Sequence, residues 1–262
     1  MSNLEIDRPN TYRIYDYLLG GSFHFAADRA FAHELLARLP WAKDVALWNR
    51  GFLARAIRYC VGHGVRQFID LGFGIPTGRR VDQIAVAADP TCRVAYVDTN
   101  QMAIAHAELL LDGLDHVTTA RVDIRDVAGV FDHPAINGLL DLSQPVALLL
   151  GAVVHFFDEQ DDPAGMIAAY RDGVATGSML ALSHATYDDM PPEVLAIAPM
   201  YRNAPEPTFD RSHAEVTALF DGWDLVEPGV VFTGGWRPDH PDEIMPEPNR
   251  SVFLAGVARK PK

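Results

Sequence analysis

Apolar residues recur along this chain at two spacings, and the change between them divides it. From Thr11 to Gly62 they repeat every three or four positions: Tyr12, Tyr15, Leu18 and Leu19, then Phe31, Leu35 and Leu39, then Val45, Trp48, Phe52, Ala56, Ile57 and Cys60. That spacing lines up one apolar stripe along a helix. Gly20-Gly21 stops the first run, Pro40 the second and Gly62-His63-Gly64 the third. Three helices are therefore expected before any strand, the second starting at Asp28. Residues 1–10 are polar and are expected to fray.

From residue 65 short apolar runs of strand length alternate with helical ones. Strands are predicted at 65–71, 93–97, 117–122, 145–151 and 178–184. Helices are predicted at about 77–88, from Asn100 through Leu111, and at about 163–175. Such alternation gives a parallel sheet with helices on both faces. The end breaks the rhythm. Ser212 and Glu215 form a capping box opening a helix to about Asp221. Two strand-like runs near 224–232 and 251–258 then follow without a helix between them, so they pair antiparallel. The segment 185–211, with five prolines and little periodicity, reads as a long loop of the kind that is often functional. The expected architecture is an α/β, Rossmann-like sheet, mostly parallel with an antiparallel last strand. Residues 1–64 form a helical cap and 65–262 the core.

Composition narrows the function. With 48% hydrophobic and 22% charged residues the chain is an ordinary globular one. Its net charge of −13 suits a small-molecule substrate better than nucleic acid, whose phosphates need clustered Lys and Arg. No apolar run reaches the ~18 residues of a membrane span. Met1 to Glu5 lacks the basic start and apolar core of a secretory signal, so a cytoplasmic setting is expected. Cys60 and Cys92 read as small buried apolar residues. The ten histidines are scattered, with no H-E-x-x-H, so no metal site is expected. No G-x-S-x-G elbow marks a hydrolase.

The chemistry gathers at the strand ends. Three successive strands finish in Asp70, Asp98 and Asp123, and Gly72-Phe73-Gly74 follows the first. Each aspartate alone reads more readily as a helix cap. Three in register beside a glycine turn point to a bound nucleoside at the carboxyl edge of the sheet. Asp98 would take the ribose hydroxyls, Asp123 the adenine amine with Ile124 against the ring, and Asp70 an amino-acid tail. A dinucleotide would want a third glycine, but Pro76 sits near its place. S-adenosylmethionine has no phosphate, and its ammonium and sulfonium suit a carboxylate-rich rim. It is favoured; an NAD(P)-dependent oxidoreductase and a non-catalytic S-adenosylmethionine-binding regulator remain as alternatives. Tyr12, Tyr15 and Tyr17 are the candidates to face a sulfonium, although only one face of their helix can see the site. His155 and His184, at the ends of the fourth and fifth strands, are the candidate catalytic bases.

These residues resemble a largely bacterial family of S-adenosylmethionine-dependent methyltransferases, long catalogued as a domain of unknown function. The resemblance runs through Ile14 to Gly21 with Phe25 to Asp28, Asn49-Arg50, Gln67 to Thr77, Tyr96 to Asp98 and Asp123 to Arg125. It continues through Asp141 to Val146, His155-Phe156, Ser183 to Thr186 and Trp236 to Pro238. It implies a class I methyltransferase fold and in-line methyl transfer to a small acceptor. Cofactor contacts are implied from Tyr15, Gly20, Asp70, Gly72, Phe73 and Gly74, and from Asp98, Thr99, Asp123, Ile124, Gly151 and Ala152. Three places depart from the family. Ser22-Phe23-His24 stands where Lys-Asp-Asn is usual, Phe73 where a small residue is usual, and Asp98-Thr99-Asn100 where an acidic-Asn-acidic run is usual. Phe73 must turn away from the cofactor or crowd it.

Overall fold

A computed structural model of the chain describes residues 6–240 and 247–261; of the segment expected to fray, residues 1–5 lie outside that range. Five parallel strands carry the alternating part of the chain: β1 (Gln67–Leu71), β2 (Arg93–Asp98), β3 (Val117–Arg121), β4 (Val146–Gly151) and β5 (Met179–Ala185). The chain winds outward from β1 to β3, then returns to place β4 on the other side of β1. That reversal leaves a crevice beyond the carboxyl ends of β1 and β4, where open α/β sheets bind ligands. β8 (Phe253–Arg259) pairs antiparallel with β5, from Met179 opposite Arg259 to Ala185 opposite Phe253. The run expected as one strand at 224–232 is two short ones, β6 (Asp224–Leu225) and β7 (Val231–Phe232), both paired with β8. Pro228 and Gly229 lie between them, and Gly229 has φ +82°, which no strand tolerates.

Alternate strand residues feed opposite layers. Ile69 and Leu71 face the layer of α6 (Val127–Phe131), α7 (Pro134–Leu139), α8 (Pro163–Gly173) and α10 (His213–Ala218). Phe68 and Val94 face α3 (Ala42–Gly62), α4 (Val81–Ala88) and α5 (Gln101–Leu111). A third apolar cluster joins α1 (Thr11–Leu18), α2 (Ala26–Arg38), the start of α3 and α9 (Pro192–Arg202). α3 belongs to two layers. Its Val45 and Ala46 pack in the cap cluster, while Phe52, Ala56 and Cys60 pack on the sheet.

Two expectations need correction. The helix after β1 begins at Val81, not near 77, because Gly72, Gly74 and Gly78 all take positive φ and hold 72–80 as a loop. Gln83 then closes the helix start by accepting from the Arg80 N–H at 3.1 Å. The segment 185–211 is not an unbroken loop. It contains α9, whose Pro192 stands in the first turn, where its missing N–H costs nothing, and whose Val194, Ile197 and Ala198 are buried at helical spacing. Of the prolines that read as loop punctuation, Pro191 and Pro192 here open the helix and Pro199 stands inside it.

Trp236 ties the last segment to α3. It is fully buried, with Phe52 and Tyr59 edge-on at 5.5 and 5.8 Å. Arg55 donates to the carbonyls of Trp236 and Thr233 at 2.8 and 2.6 Å. Trp236→Ala is expected to lower stability by about 3–5 kcal/mol, the usual range for emptying an aromatic site. A urea titration followed by circular dichroism should show one transition at a lower midpoint, since α3 carries cap and sheet together.

Candidate functional site

The turn after β1 is built so tightly that it excludes side chains. Gly72 has φ +73° and Gly74 φ +66°. A Cβ on Gly72 would stand 2.5 Å from the Val153 side chain, and one on Gly74 3.1 Å from the Tyr12 ring. The Gly74 N–H donates to Asp98 Oδ2 at 2.9 Å, and Asn100 N–H to Asp98 Oδ1 at 2.8 Å. Asp98 thus holds the glycine turn from the end of β2. Burial pushes its pKa up, and the backbone donors pull against that.

Asp70 is the opposite case. It is 8% exposed and accepts no hydrogen bond among the described residues. Burial raises its pKa to about 7; Arg50 opposes the rise and Asp98 adds to it. The Arg50 guanidinium donates to the carbonyls of Thr77 and Arg79 at 3.1 and 3.0 Å, fixing the far end of the glycine loop. Asp123 lies one strand further out and is gripped by the Arg125 guanidinium, Nη2 to Oδ2 at 2.7 Å. That pairing holds its carboxyl below the usual range. Ile124 is buried, and its carbonyl accepts from the Tyr170 hydroxyl at 2.8 Å.

The other side of the crevice is the end of β4. A Cβ on Gly151 would stand 2.7 Å from Leu53. Ala152 takes φ +56°, and its N–H donates to Ser183 Oγ at 2.9 Å. From there a relay crosses to the cap. Ser183 Oγ donates to Asn49 Oδ1 at 2.7 Å, Asn49 Nδ2 to the Tyr15 hydroxyl at 3.0 Å, and that hydroxyl to the Ala46 carbonyl at 3.2 Å. α1 is also pinned to the glycine loop. Asp16 accepts from the Thr77 hydroxyl and from the Phe23 N–H.

A cavity of about 1200 Å³, measured out to its open mouth, lies between these walls. Of the residues expected to contact a cofactor, Tyr15, Gly72, Phe73, Gly74, Gly151 and Ala152 border it. Asp70, Asp98, Asp123 and Ile124 stand behind or beside that lining. Gly20 is exposed at the end of α1, and the Thr99 carbonyl accepts from Arg121 Nε at 3.2 Å; neither borders the cavity. Tyr12, not Tyr17, lies on the glycine turn, and the charges of Asp98 and Asp123 both reach it. Tyr17 turns outward, its hydroxyl 2.8 Å from His33 Nε2. Asn49 and Ser183 were not singled out from sequence as site residues, although a lone amide within an apolar helical stripe is a readable signal.

The two histidines part company. His184 is fully buried, its Nδ1 2.6 Å from the Ala185 carbonyl and its Nε2 2.9 Å from Arg211 Nη1. Nδ1 donates and Nε2 accepts, so neither nitrogen is left for a substrate. Burial lowers its pKa to about 4. The expectation of a base at His184 is therefore corrected: this imidazole positions Arg211. His155 borders the cavity at 4% exposure, and its Nδ1 is buried without a partner. Its Nε2 makes no hydrogen bond among the described residues and keeps accessible surface. Burial drives its pKa well below the usual value, with His184 and Arg211 adding to the drop, so the ring is neutral.

Residues 1–261 match the model of the S-adenosyl methyltransferase family. The chain belongs to that family. Two solved structures match over nearly the full length of both chains. A Thermobifida fusca YX protein is 33% identical with a TM-score of 0.92, the match covering 100% of this chain and 98% of that one. A DUF574 family protein from Streptomyces avermitilis MA-4680 is 33% identical with a TM-score of 0.91, covering 98% and 99%. The N-methyltransferase NodS from Bradyrhizobium japonicum WM9, solved with S-adenosylhomocysteine, shares the fold at 16% identity and a TM-score of 0.54, covering 89% of this chain and 98% of that one. None of the curated proteins matches the chain. S-adenosylmethionine, rather than a nicotinamide, is the cofactor of this S-adenosyl methyltransferase. No helix among its described residues is long and apolar enough to cross a membrane.

Asp70 generates a stability prediction. Its folded pKa lies above that of an unfolded aspartate, so between about pH 4 and 7 the native state binds the extra proton. Its contribution to stability is full below the unfolded pKa and is lost as pH rises through about 7. Asp70→Asn removes the titration. The variant is expected to melt a few degrees above the parent at pH 8 and level with it at pH 4. A variant that melts lower at pH 8 would show that the ionised carboxylate has a partner in the folded chain.

Proposed function

We propose that the cofactor lies along the glycine turn with its ammonium at Asp70, its ribose at Asp98 and its adenine toward Asp123 and Ile124. The observation that carries this reading is Asp70. A carboxylate buried at a strand end, beside a turn with no room for a Cβ and accepting no hydrogen bond among the described residues, is suited to a cationic hydrogen-bond donor. Asp98 fits the ribose. Each of its oxygens already accepts one backbone N–H, and a carboxylate oxygen accepts two bonds. Asp123 would share itself between Arg125 and the adenine amine. Phe73 packs its ring edge-on against Tyr96 at 5.2 Å, which leaves its backbone to the cofactor. Gly20 and Thr99 play no part in this reading.

Bound there, S-adenosylmethionine supplies a methyl group on a positively charged sulfur, already activated for in-line displacement. The protein's work is alignment and proton removal. Gly151 and Ala152 form the opposite wall, held by the Ser183–Asn49–Tyr15 relay. Tyr12 and Phe156, 6.2 Å apart, offer aromatic faces to the sulfonium. His155, neutral and with Nε2 open to the cavity, is the base. Residues 1–64 act with α9 as the cap over this site. A small-molecule acceptor, no nucleic-acid partner and a cytoplasmic setting complete the reading, in keeping with the net charge of −13.

The ammonium at Asp70 makes binding pH-dependent. Only the ionised carboxylate attracts it, so affinity for S-adenosylhomocysteine is expected to rise about tenfold from pH 6 to pH 8 and then level off. Calorimetric titration in buffers of different ionisation enthalpy should also show proton release near pH 6.5. Asp70→Asn should bind more weakly at every pH and lose the slope. A flat profile in the parent chain would remove Asp70 from the site.

A further inference from the structure

The cavity extends past the cofactor walls, and its two ends differ in chemistry. Beyond the glycine turn it runs beneath the cap between Leu35, Leu39, Val45, Ile197, Tyr201 and Phe253. Among the described residues bordering the cavity Arg50 is the sole formal charge, and its guanidinium is engaged at the glycine-loop end. The Glu206 carboxylate is turned to the start of α1, accepting from Asn10 Nδ2 at 2.9 Å, and does not border the cavity. His155, nine-tenths buried on the wall that joins the two ends, is left without a partner among the described residues, and unlike the Thr208 hydroxyl, also buried on the lining, its ring can take up a proton.

We propose that the methyl acceptor is an uncharged, largely apolar aromatic alcohol, its ring system in the chamber beneath the cap and its hydroxyl at His155 Nε2, and that methylation is on oxygen. This inference rests on the cofactor reading above and names the substrate class of the same site. A carboxylate, phosphate or ammonium entering this chamber would give up its hydration with no counter-ion to meet it. A protonated amine has the further defect that it must lose its proton before its lone pair is free. An aromatic hydroxyl enters neutral and finds aromatic walls in Tyr187, Tyr201 and Phe253, whose faces and edges suit another ring. In the reaction a lone pair on the acceptor oxygen forms the new oxygen–carbon bond. The carbon–sulfur pair returns to sulfur, leaving a neutral thioether, and the hydroxyl proton passes to His155 Nε2 and then to solvent.

The test uses the full chain loaded with S-adenosylhomocysteine. Intrinsic fluorescence follows binding of 2-naphthol and of two charged counterparts, 6-hydroxy-2-naphthoate and protonated 2-(aminomethyl)naphthalene. 2-Naphthol is expected to bind at least tenfold more tightly than either. Ile197→Trp, which fills the chamber, should abolish 2-naphthol binding, with S-adenosylhomocysteine affinity as the control for folding. With S-adenosylmethionine in place of the product, mass spectrometry should detect 2-methoxynaphthalene, formed at least a hundredfold more slowly by His155→Gln. Equal or tighter binding of a charged counterpart overturns the inference, as does failure of all three to bind a chain that takes up S-adenosylhomocysteine. Binding of 2-naphthol without methylation, or methylation that survives His155→Gln unchanged, overturns the placement of the hydroxyl. Failure to bind S-adenosylhomocysteine brings down the cofactor reading and this inference with it.

Discussion

The buried amide of Asn49 is the joint on which the site depends. It is 1% exposed, on the one helix that packs in both the cap and the sheet layer. Its oxygen takes the Ser183 proton and its nitrogen supplies one to Tyr15. Each bond in that relay adds about 1 kcal/mol, but leaving a buried member unpaired costs more, about 1–3 kcal/mol. The relay is therefore closer to a register pin than to a source of stability. It holds together only when the cap sits at one height above β4 and β5, and that height sets the depth of the cavity. Ala152, strained at φ +56°, is kept in place by the same bonds.

The remaining ties between cap and core share this character. Asp16 joins α1 to the glycine loop, Glu206 joins it to the segment after α9, and Arg13 and Asp28 form a buried pair between α1 and α2 at 2.7 Å. The apolar cluster of the cap makes the bulk attraction, which is indifferent to direction. The directional polar ties select one arrangement from those the cluster alone would allow. A mostly uncharged chamber results, and in its walls a neutral His155 and, behind them, a buried Asp70 both keep unusual proton affinities. One favours the uncharged ring, the other the uncharged acid, and both for the same reason, loss of water.

What could be read from sequence is what repeats locally. The strand and helix periods, the capping role of Asn100 and the glycines after β1 depend on neighbours in the chain, and they stand where expected. The carboxylates at strand ends were legible as positions but not as states. Nothing adjacent to Asp123 in the pattern announces that Arg125 will turn back on it, or that Asp70 will accept no hydrogen bond among the described residues. His184 failed as a base because its partner, Arg211, lies 27 residues away. α9 was hidden because proline is read as an interruption, although in a first turn it is compatible with the helix. For His184 the deciding contact is distant in sequence and short in space.

The same logic explains the departures from the family pattern. Phe23 occupies part of the stretch where the family carries Lys-Asp-Asn, and its ring stacks on His106 of α5 with centroids 3.7 Å apart. Phe73 replaces a small residue in the glycine turn and sends its ring to Tyr96, whose hydroxyl donates to Asp82 at 2.6 Å. Each ring finds an aromatic partner, Phe23 on α5 and Phe73 on β2. A lost charge at the pocket mouth and a bulky side chain in the turn are thus met by packing on the side away from the glycine backbone. The surface that a cofactor would touch, the bare Cα atoms of Gly72 and Gly74, is the part these substitutions leave alone, because there a Cβ has no room.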